Sequence, residues 1–379
     1  MLKFTLTPYD VLYFGSGKPF NRGDVVESVF PPYPNTFASA ICSKIYYFKN
    51  IDVSTILKAV YGPFIKKQDK VYFPKPQNIY TERKKEEFGK FFILNPFDEN
   101  NLKLFKSDNT NKPEIQTFAV YKGIEEVEPF RAFISLQGFK GWLNKQEIDN
   151  YDILQYRDIF ENEARIGISI DPSLYSIAGE ENALYRIEFL RLKKNIKFVF
   201  WVEFDFSDKE LKKINLDNED KILEFFNNDP KVLKLGGEMK NVSYEVEKDN
   251  FKKWIRNELG IEENLDLDSN EKIQVLFLNY GVFDFQDNNL PHIDGFQLYS
   301  ACFGNYEIIG TISKNLERKI KRAFPPGSIL WLISKNRKRI NNPTFILKKD
   351  NLYEIDEPKG KQEFIGTNLV LIKKEVENV

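Results

Sequence analysis

Three prolines close together, Pro31, Pro32 and Pro34, constrain this chain more tightly than any other short stretch. Each fixes its own φ at about −65° and turns its predecessor away from helix, so the chain runs extended here and a helix begins only afterwards. Gly15-Ser-Gly-Lys-Pro-Phe-Asn-Arg-Gly23 precedes them and Asn35-Thr-Phe-Ala-Ser-Ala-Ile41 follows. Asn35 or Thr36 caps the expected helix, and Phe37, Ile41, Ile45 and Phe48 recur at helical spacing towards a core. The other face of its first turns is small and polar, with Ala38, Ser39, Cys42 and Ser43, which leaves the N-terminal amides open to a phosphate. The glycine stretch suits the same task. Gly15, Gly17 and Gly23 permit positive φ and close approach, and Lys18 and Arg22 bring two cations ahead of the first acid, Asp24. Ordinary turn chemistry between a strand and a helix accounts for the same residues without any ligand. A nucleotide-triphosphate loop is excluded, because Pro19 follows Lys18 where serine or threonine is needed.

At 379 residues the chain has material for two domains, and aromatics make up 15% of it. The expected division is 1–205 and 206–379, unless the two interleave. No apolar run reaches the ~18 residues of a membrane span, and Met1 to Thr7 alternates like a strand, so a soluble cytoplasmic protein without membrane contact is expected. Two cysteines, Cys42 and Cys302, build neither a disulfide framework nor a metal site. The single histidine, His292, excludes catalytic layouts with several imidazoles, and Asp284 with Asp287 has nothing to fix it as a Mg²⁺ site. No metal and no cofactor is expected. With a formal net charge of −1, a nucleic-acid partner must be met by local basic patches.

Period-two alternation marks a strand at residues 2–7, residues 184–192 read as a strand with both faces mixed, residues 196–206 as another strong strand, and further extended segments fall at 71–76, 91–94, 273–278, 308–312, 328–333 and 368–372. Ser54 to Gly62-Pro63 is expected as a short helix, Asn144 to Tyr151 as another after a turn at Gly138 to Leu143, and Leu211 to Phe226 as mainly helical. Phe251 to Leu259 reads as a helix closed by Gly260. Residues 98–113 form a polar excursion and 81–90 a solvated charged face. Lys234-Leu-Gly-Gly-Glu-Met-Lys240 is a further glycine turn with cations. Lys314 to Arg322 and Lys335 to Arg339 are basic clusters that read either as solvated faces or as nucleic-acid patches. Many strands and few helices in irregular order indicate α+β with largely antiparallel sheets.

Taken in order, Gly17-Lys-Pro-Phe20, Phe30-Pro-Pro-Tyr-Pro-Asn-Thr36, Arg165-Ile-Gly-Ile168 with Leu184-Tyr185, Leu235-Gly-Gly-Glu238 and Phe324-Pro-Pro-Gly-Ser328 resemble the subunit-three family of the Cmr complex. That family belongs to the RAMP superfamily of type III-B CRISPR effectors. The resemblance implies two ferredoxin-like (RRM-like) domains with mainly antiparallel sheets and long insertions, and no enzymatic activity. It implies a guide-RNA-binding subunit that grips the repeat-derived 5′ tag and contacts the large polymerase/cyclase-type Cas subunit and a backbone RAMP subunit. Two departures stand out: Met239-Lys240 where the family favours arginine, and only Pro325-Pro-Gly327 where many RAMP proteins have a glycine-rich loop.

Holding a single-stranded tag needs amides at glycine turns, nearby cations and flat groups on which bases stack. The candidates are Gly15, Ser16, Gly17, Lys18, Phe20, Arg22, Asn35, Thr36, Ser39, Phe139, Lys140, Arg165, Gly236, Gly237, Lys240 and Arg322, with Tyr33 as a further stacking ring. Arg165 reads equally as an ion-pair partner of Glu161 or Glu163. A Cas6-like RAMP endoribonuclease using His292, and a protein scaffold without RNA contact, are the rival readings.

Overall fold

The computed structural model describes residues 1–16, 25–83, 90–96, 117, 119–168, 170–171, 176–177, 184–282, 293, 295–312, 318–341, 344–348, 351–353 and 365–375. Its frame is a sheet of eight strands that begins with β1 (Leu2–Pro8), whose Leu2, Phe4 and Leu6 all enter one core while Lys3 pairs outward with Glu247 at 2.9 Å. After β2 (Val25–Glu27) and helix α1 (Pro34–Lys49) come β3 (Leu57–Lys67), β4 (Lys70–Pro74), β5 (Ala132–Ser135), α2 (Leu136–Leu143) and β6 (Ile153–Gln155). Next are β7 (Phe160–Ile168), β8 (Leu184–Leu192), β9 (Ile196–Phe204), α3 (Glu219–Asn227), β10 (Val232–Lys234), β11 (Asn241–Lys248) and α4 (Phe251–Leu259). The sheet order is β6-β5-β4-β3-β9-β1-β11-β10, and the central pairs β3-β9, β9-β1 and β1-β11 are all antiparallel. Helices α1 and α3 connect β1 to β3 and β9 to β11, and Phe37, Ile41, Ile45, Ile222 and Phe226 pack from them on one sheet face.

Alternation in β9 decides what covers the other face. Phe198, Phe200 and Val202 point to the helices, whereas Val199 and Trp201 point to a second core shared with α2, α4 and another sheet. That sheet consists of β12 (Lys272–Phe277), β13 (Phe296–Cys302), β16 (Ile329–Ser334), β17 (Thr344–Lys348), β18 (Asn351–Tyr353) and β19 (Leu369–Lys374), in the order β13-β16-β12-β19-β17-β18. The hairpin β14 (Glu307–Ile312) and β15 (Arg318–Phe324) stands beside it. Phe251 of α4 fills the space between the sheets, 5.2 Å from Tyr61, 5.6 Å from Phe64 and 5.1 Å from Trp201, ring centre to ring centre. Among the described residues no helix is long and apolar enough to cross a membrane.

Several expectations need correction. Leu57–Lys67 is a strand, not a helix ended by Gly62-Pro63; β3 absorbs the proline where its register against β9 shifts. The helix expected at 144–151 lies earlier, at Leu136–Leu143, because Ser135 accepts the Gly138 amide at 3.1 Å and so starts it there. Helix α1 begins at Pro34 with Tyr33 as its cap residue and no side-chain cap. Its Phe48 is 49% exposed, with its ring centre 6.2 Å from that of Phe225 on α3. Leu211 to Phe226 is two short helices, Lys209–Lys213 and Glu219–Asn227, with Asn215 at positive φ between them. A division after residue 205 would part β10 and β11 from the sheet they complete. Residues 84–89 and 98–113 lie outside the described residues. Phe251–Leu259 with Gly260 as its left-handed cap is as expected.

The Phe324-Pro-Pro-Gly327 turn joins the two sheets. Gly327 accepts the Gln77 amide at 2.8 Å and donates its own to Phe277 at 2.7 Å. Under it lies Lys75, 3% exposed, which donates to the Pro76 carbonyl at 3.0 Å and the Ile79 carbonyl at 2.7 Å. Burial pushes its ammonium pKa down to about 7 from 10.5. Between those values the unfolded lysine holds a proton and the folded one does not, so stability rises with pH across that window. Wild type is therefore expected to gain stability relative to Lys75→Met between about pH 7 and about pH 9, by at most roughly 1.4 kcal/mol per unit. Denaturant midpoints that run parallel for the two proteins would contradict this.

Candidate nucleic-acid interface

Residues 17–24 lie outside the described residues, but both feet of their loop are fixed along β8. Leu12 exchanges two hydrogen bonds of 2.8 Å with Leu190, Val25–Glu27 pairs parallel with Arg186 to Glu188, and Ser28 donates to the Glu188 carbonyl at 3.2 Å. The feet also bind each other, through Val29 N–H to the Phe14 carbonyl at 2.8 Å and Phe14 N–H to Ser28 Oγ at 3.3 Å. The chain thus leaves the frame at Ser16 and returns at Val25, beside its own point of departure.

The turn at 234–240 is packed against the first foot. Gly236 has φ +76°, and a Cβ on it would stand 2.2 Å from the Tyr13 carbonyl oxygen. Gly237 donates its amide to that oxygen at 2.9 Å. These glycines therefore let Tyr13 pass, and the Gly237 amide is not free for a phosphate, contrary to the expected role. Gly15 is also corrected: it is not at positive φ, and a Cβ there would meet only the Tyr13 ring, at 3.6 Å.

Phe189 lies under this junction, 4% exposed, with its ring centre 5.9 Å from that of Tyr13. Two cations rest on it, Lys240 Nζ at 4.9 Å and the Arg165 guanidinium at 5.3 Å. Lys240 has no carboxylate partner among the described residues. Arg165 does: Glu163 at 2.7 Å and Asp10 at 2.9 Å, both shared with Arg191. The ion-pair reading of Arg165 is what the geometry shows, with Glu163 and Asp10 as the acids. Hydrogen bonds from Arg165 and Arg191 hold the Asp10 and Glu163 carboxyls below the usual range. Sequence reasoning misses Asp10, Tyr13, Phe189 and Arg191, although the mixed faces of β8 are an available signal.

Other candidates lie elsewhere. Phe139 is fully buried against Phe73 and Trp142, so it offers no face to a base, and Lys140 is tied to Glu258 at 3.1 Å. Tyr33, 6% exposed, donates to the Ile308 carbonyl at 2.8 Å, and Tyr280 donates to Pro31 at 2.6 Å, so the proline run is a strut to the second half. Asn35 and Thr36 are half-buried and Ser39 is exposed at the α1 N-terminus, where Asn35 Oδ1 is buried without a hydrogen-bond partner. Arg322 is on β15 opposite Ile308, in another sheet. In the second basic cluster Arg337 faces Asp268 at 3.5 Å and Arg339 faces Asp266 at 3.6 Å, exposed pairs of a solvated surface. Gly17, Lys18, Phe20, Arg22, His292, Asp284 and Asp287 lie outside the described residues. Among the described residues no cluster of His, Cys, Asp and Glu is suited to a metal ion.

The frame is thus one of mainly antiparallel sheets with few helices, in which Ser16 and Val25 lie on adjoining, hydrogen-bonded segments. A family model described as CRISPR-associated protein (Cas_Cmr3) matches residues 4–375, and the chain belongs to that family. It is thus a type III CRISPR effector subunit of the Cmr kind, as the order of its motifs led one to expect. A chain in the cryo-EM structure of the Type III-B Cmr-beta bound to cognate target RNA and AMPPnP is similar in fold, with 18% identity and a TM-score of 0.50 over 87% of this chain and 86% of that one. A chain in the crystal structure of the Csm3-Csm4 subcomplex of the type III-A interference complex is 14% identical, with a TM-score of 0.39 over 89% and 98% of the two chains. No curated protein matches the chain.

Proposed function

We propose that this chain is a non-catalytic subunit that grips the 5′ tag of the guide RNA with its 15–23 loop. It docks the large polymerase/cyclase-type subunit and a backbone RAMP subunit of the same complex. One observation carries the reading. The loop's feet, the 234–240 turn and Arg165, far apart in sequence, converge on Tyr13 and Phe189, with Lys240 left without a carboxylate among the described residues. The frame ties the two described ends of the loop together, and the sequence between them supplies two cations, Lys18 and Arg22, suited to phosphates and a ring, Phe20, suited to a base. The solved Type III-B Cmr-beta, one chain of which shares this fold, is described as bound to cognate target RNA, which agrees with membership in an RNA-binding assembly.

The two halves also suit two ferredoxin-like units. In the first sheet the order β3-β9-β1-β11, with α1 and α3 on the connections, is the strand order of a split β-α-β pair. In the second, β13-β16-β12-β19 repeats that order, although no helix follows residue 259 among the described residues. The division then falls after residue 248. The experiment is photocrosslinking of the assembled complex carrying guide RNA labelled in its tag. Adducts within residues 15–23 are the expected result; adducts confined to other subunits would favour the scaffold reading. Cleavage of repeat RNA by the purified chain, lost in His292→Ala, would establish the endoribonuclease instead.

A further inference from the structure

Away from the loop, two adjoining cavities of about 300 and 260 Å³ form one elongated cleft. It runs between the C-terminal ends of α2 and α4 and the strands β12 and β19, and shares no residue with the loop's feet. Its floor is aliphatic, made by Leu259, Ile261, Leu276 and Leu371. At its mouth stand two lysines. Lys373 is half-buried and donates to the Leu143 carbonyl that ends α2. Lys145 is exposed at positive φ; burial, and after it the charge of Lys145, lowers the Lys373 ammonium pKa. Neither has a carboxylate partner among the described residues, whereas the neighbouring Lys374 is paired with Glu271 at 2.5 Å. Glu262 and Glu375 also line the cleft.

Lys145 and Lys373 line one cleft and neither makes an ion pair among the described residues, so an anion seated between them offsets their mutual repulsion. The rest of the lining says what kind of anion. Trp142 is the one aromatic ring among the lining residues; it is 4% exposed and donates Nε1–H to Asn78 at 3.0 Å, so the cleft shows no flat face to a nucleobase. Aliphatic side chains fill an aliphatic floor best, and the Asn144 and Gln274 amides can pair with a peptide main chain along the cleft. We propose that this cleft binds an extended acidic peptide segment of a partner protein, one apolar side chain on the floor and carboxylates on Lys145 and Lys373.

The test uses the full chain and an array of short acidic peptides, each with one leucine, isoleucine or phenylalanine, with affinities of retained peptides measured by fluorescence anisotropy. Retained peptides are expected to bind roughly tenfold or more weakly to Lys145→Glu, whose exposed position spares the fold, and to lose affinity as salt rises. Lys373→Met and Ile261→Asn are expected to weaken binding separately. The chain carrying Lys18→Ala and Arg22→Ala should bind the peptides as wild type does, which keeps this inference apart from the RNA reading. No retained peptide, retention of basic peptides, equal binding by Lys145→Glu, or displacement of peptide by AMP would each overturn it.

Discussion

Gly236→Val is expected to lower stability by about 4 kcal/mol and to weaken RNA binding even at temperatures where the protein stays folded. Two costs add at this position. An ordinary side chain at φ +76° is strained by ~1–2 kcal/mol, and a β-branched one by more. The new Cβ would also stand 2.2 Å from a main-chain oxygen, that of Tyr13, which cannot turn aside as a flexible side chain would. Relief requires the Tyr13 segment to move, and with it the first foot of the loop. Gly260 supplies the comparison, because it has φ +63° and a Cβ added there would meet nothing within 4 Å. Gly260→Val should therefore show the conformational cost alone. Urea titrations of the two variants separate clash from strain; equal losses would mean that the approach of Tyr13 to Gly236 is not tight.

The second large effect is expected from Lys18→Ala combined with Arg22→Ala, a roughly tenfold or greater loss of affinity for tag RNA at moderate salt, with the unfolding midpoint unchanged. The feet of the loop are held by main-chain hydrogen bonds and by the Tyr13–Phe189 contact, none of which involves these two side chains. Removing the cations therefore leaves the anchorage in place. A matching pair of substitutions in the solvated cluster, Arg337→Ala with Arg339→Ala, should change RNA affinity little, since both face acids across an exposed surface.

What can be read from the sequence is local. Gly260 closes α4, because left-handed closure depends on a neighbour in the chain, β1 is visible through strict alternation and β9 through its long apolar run. Errors arise where a distant segment decides. Gly138 reads as a turn residue, yet it is helical and small because a Cβ there would lie 2.6 Å from Asp152 Cβ. Gly62-Pro63 reads as a helix stop, but the long pairing of β3 with β9 overrides it. Phe139 reads as a stacking ring because phenylalanine is so abundant here that composition cannot separate core from surface, and only the neighbours Phe73 and Trp142 do so. For the site, the sequence marks the loop, the 234–240 turn and Arg165, but not that they meet. Their meeting point, Phe189, carries no motif.

The most direct test of passive gripping is the salt dependence of tag-RNA binding, measured for wild type and for Lys18→Ala with Arg22→Ala. A single strand held by phosphate contacts loses affinity with a slope of about −0.7 per phosphate neutralised, so removing two cations should flatten log K against log salt by about 1.4. Identical slopes for the two proteins would contradict the account.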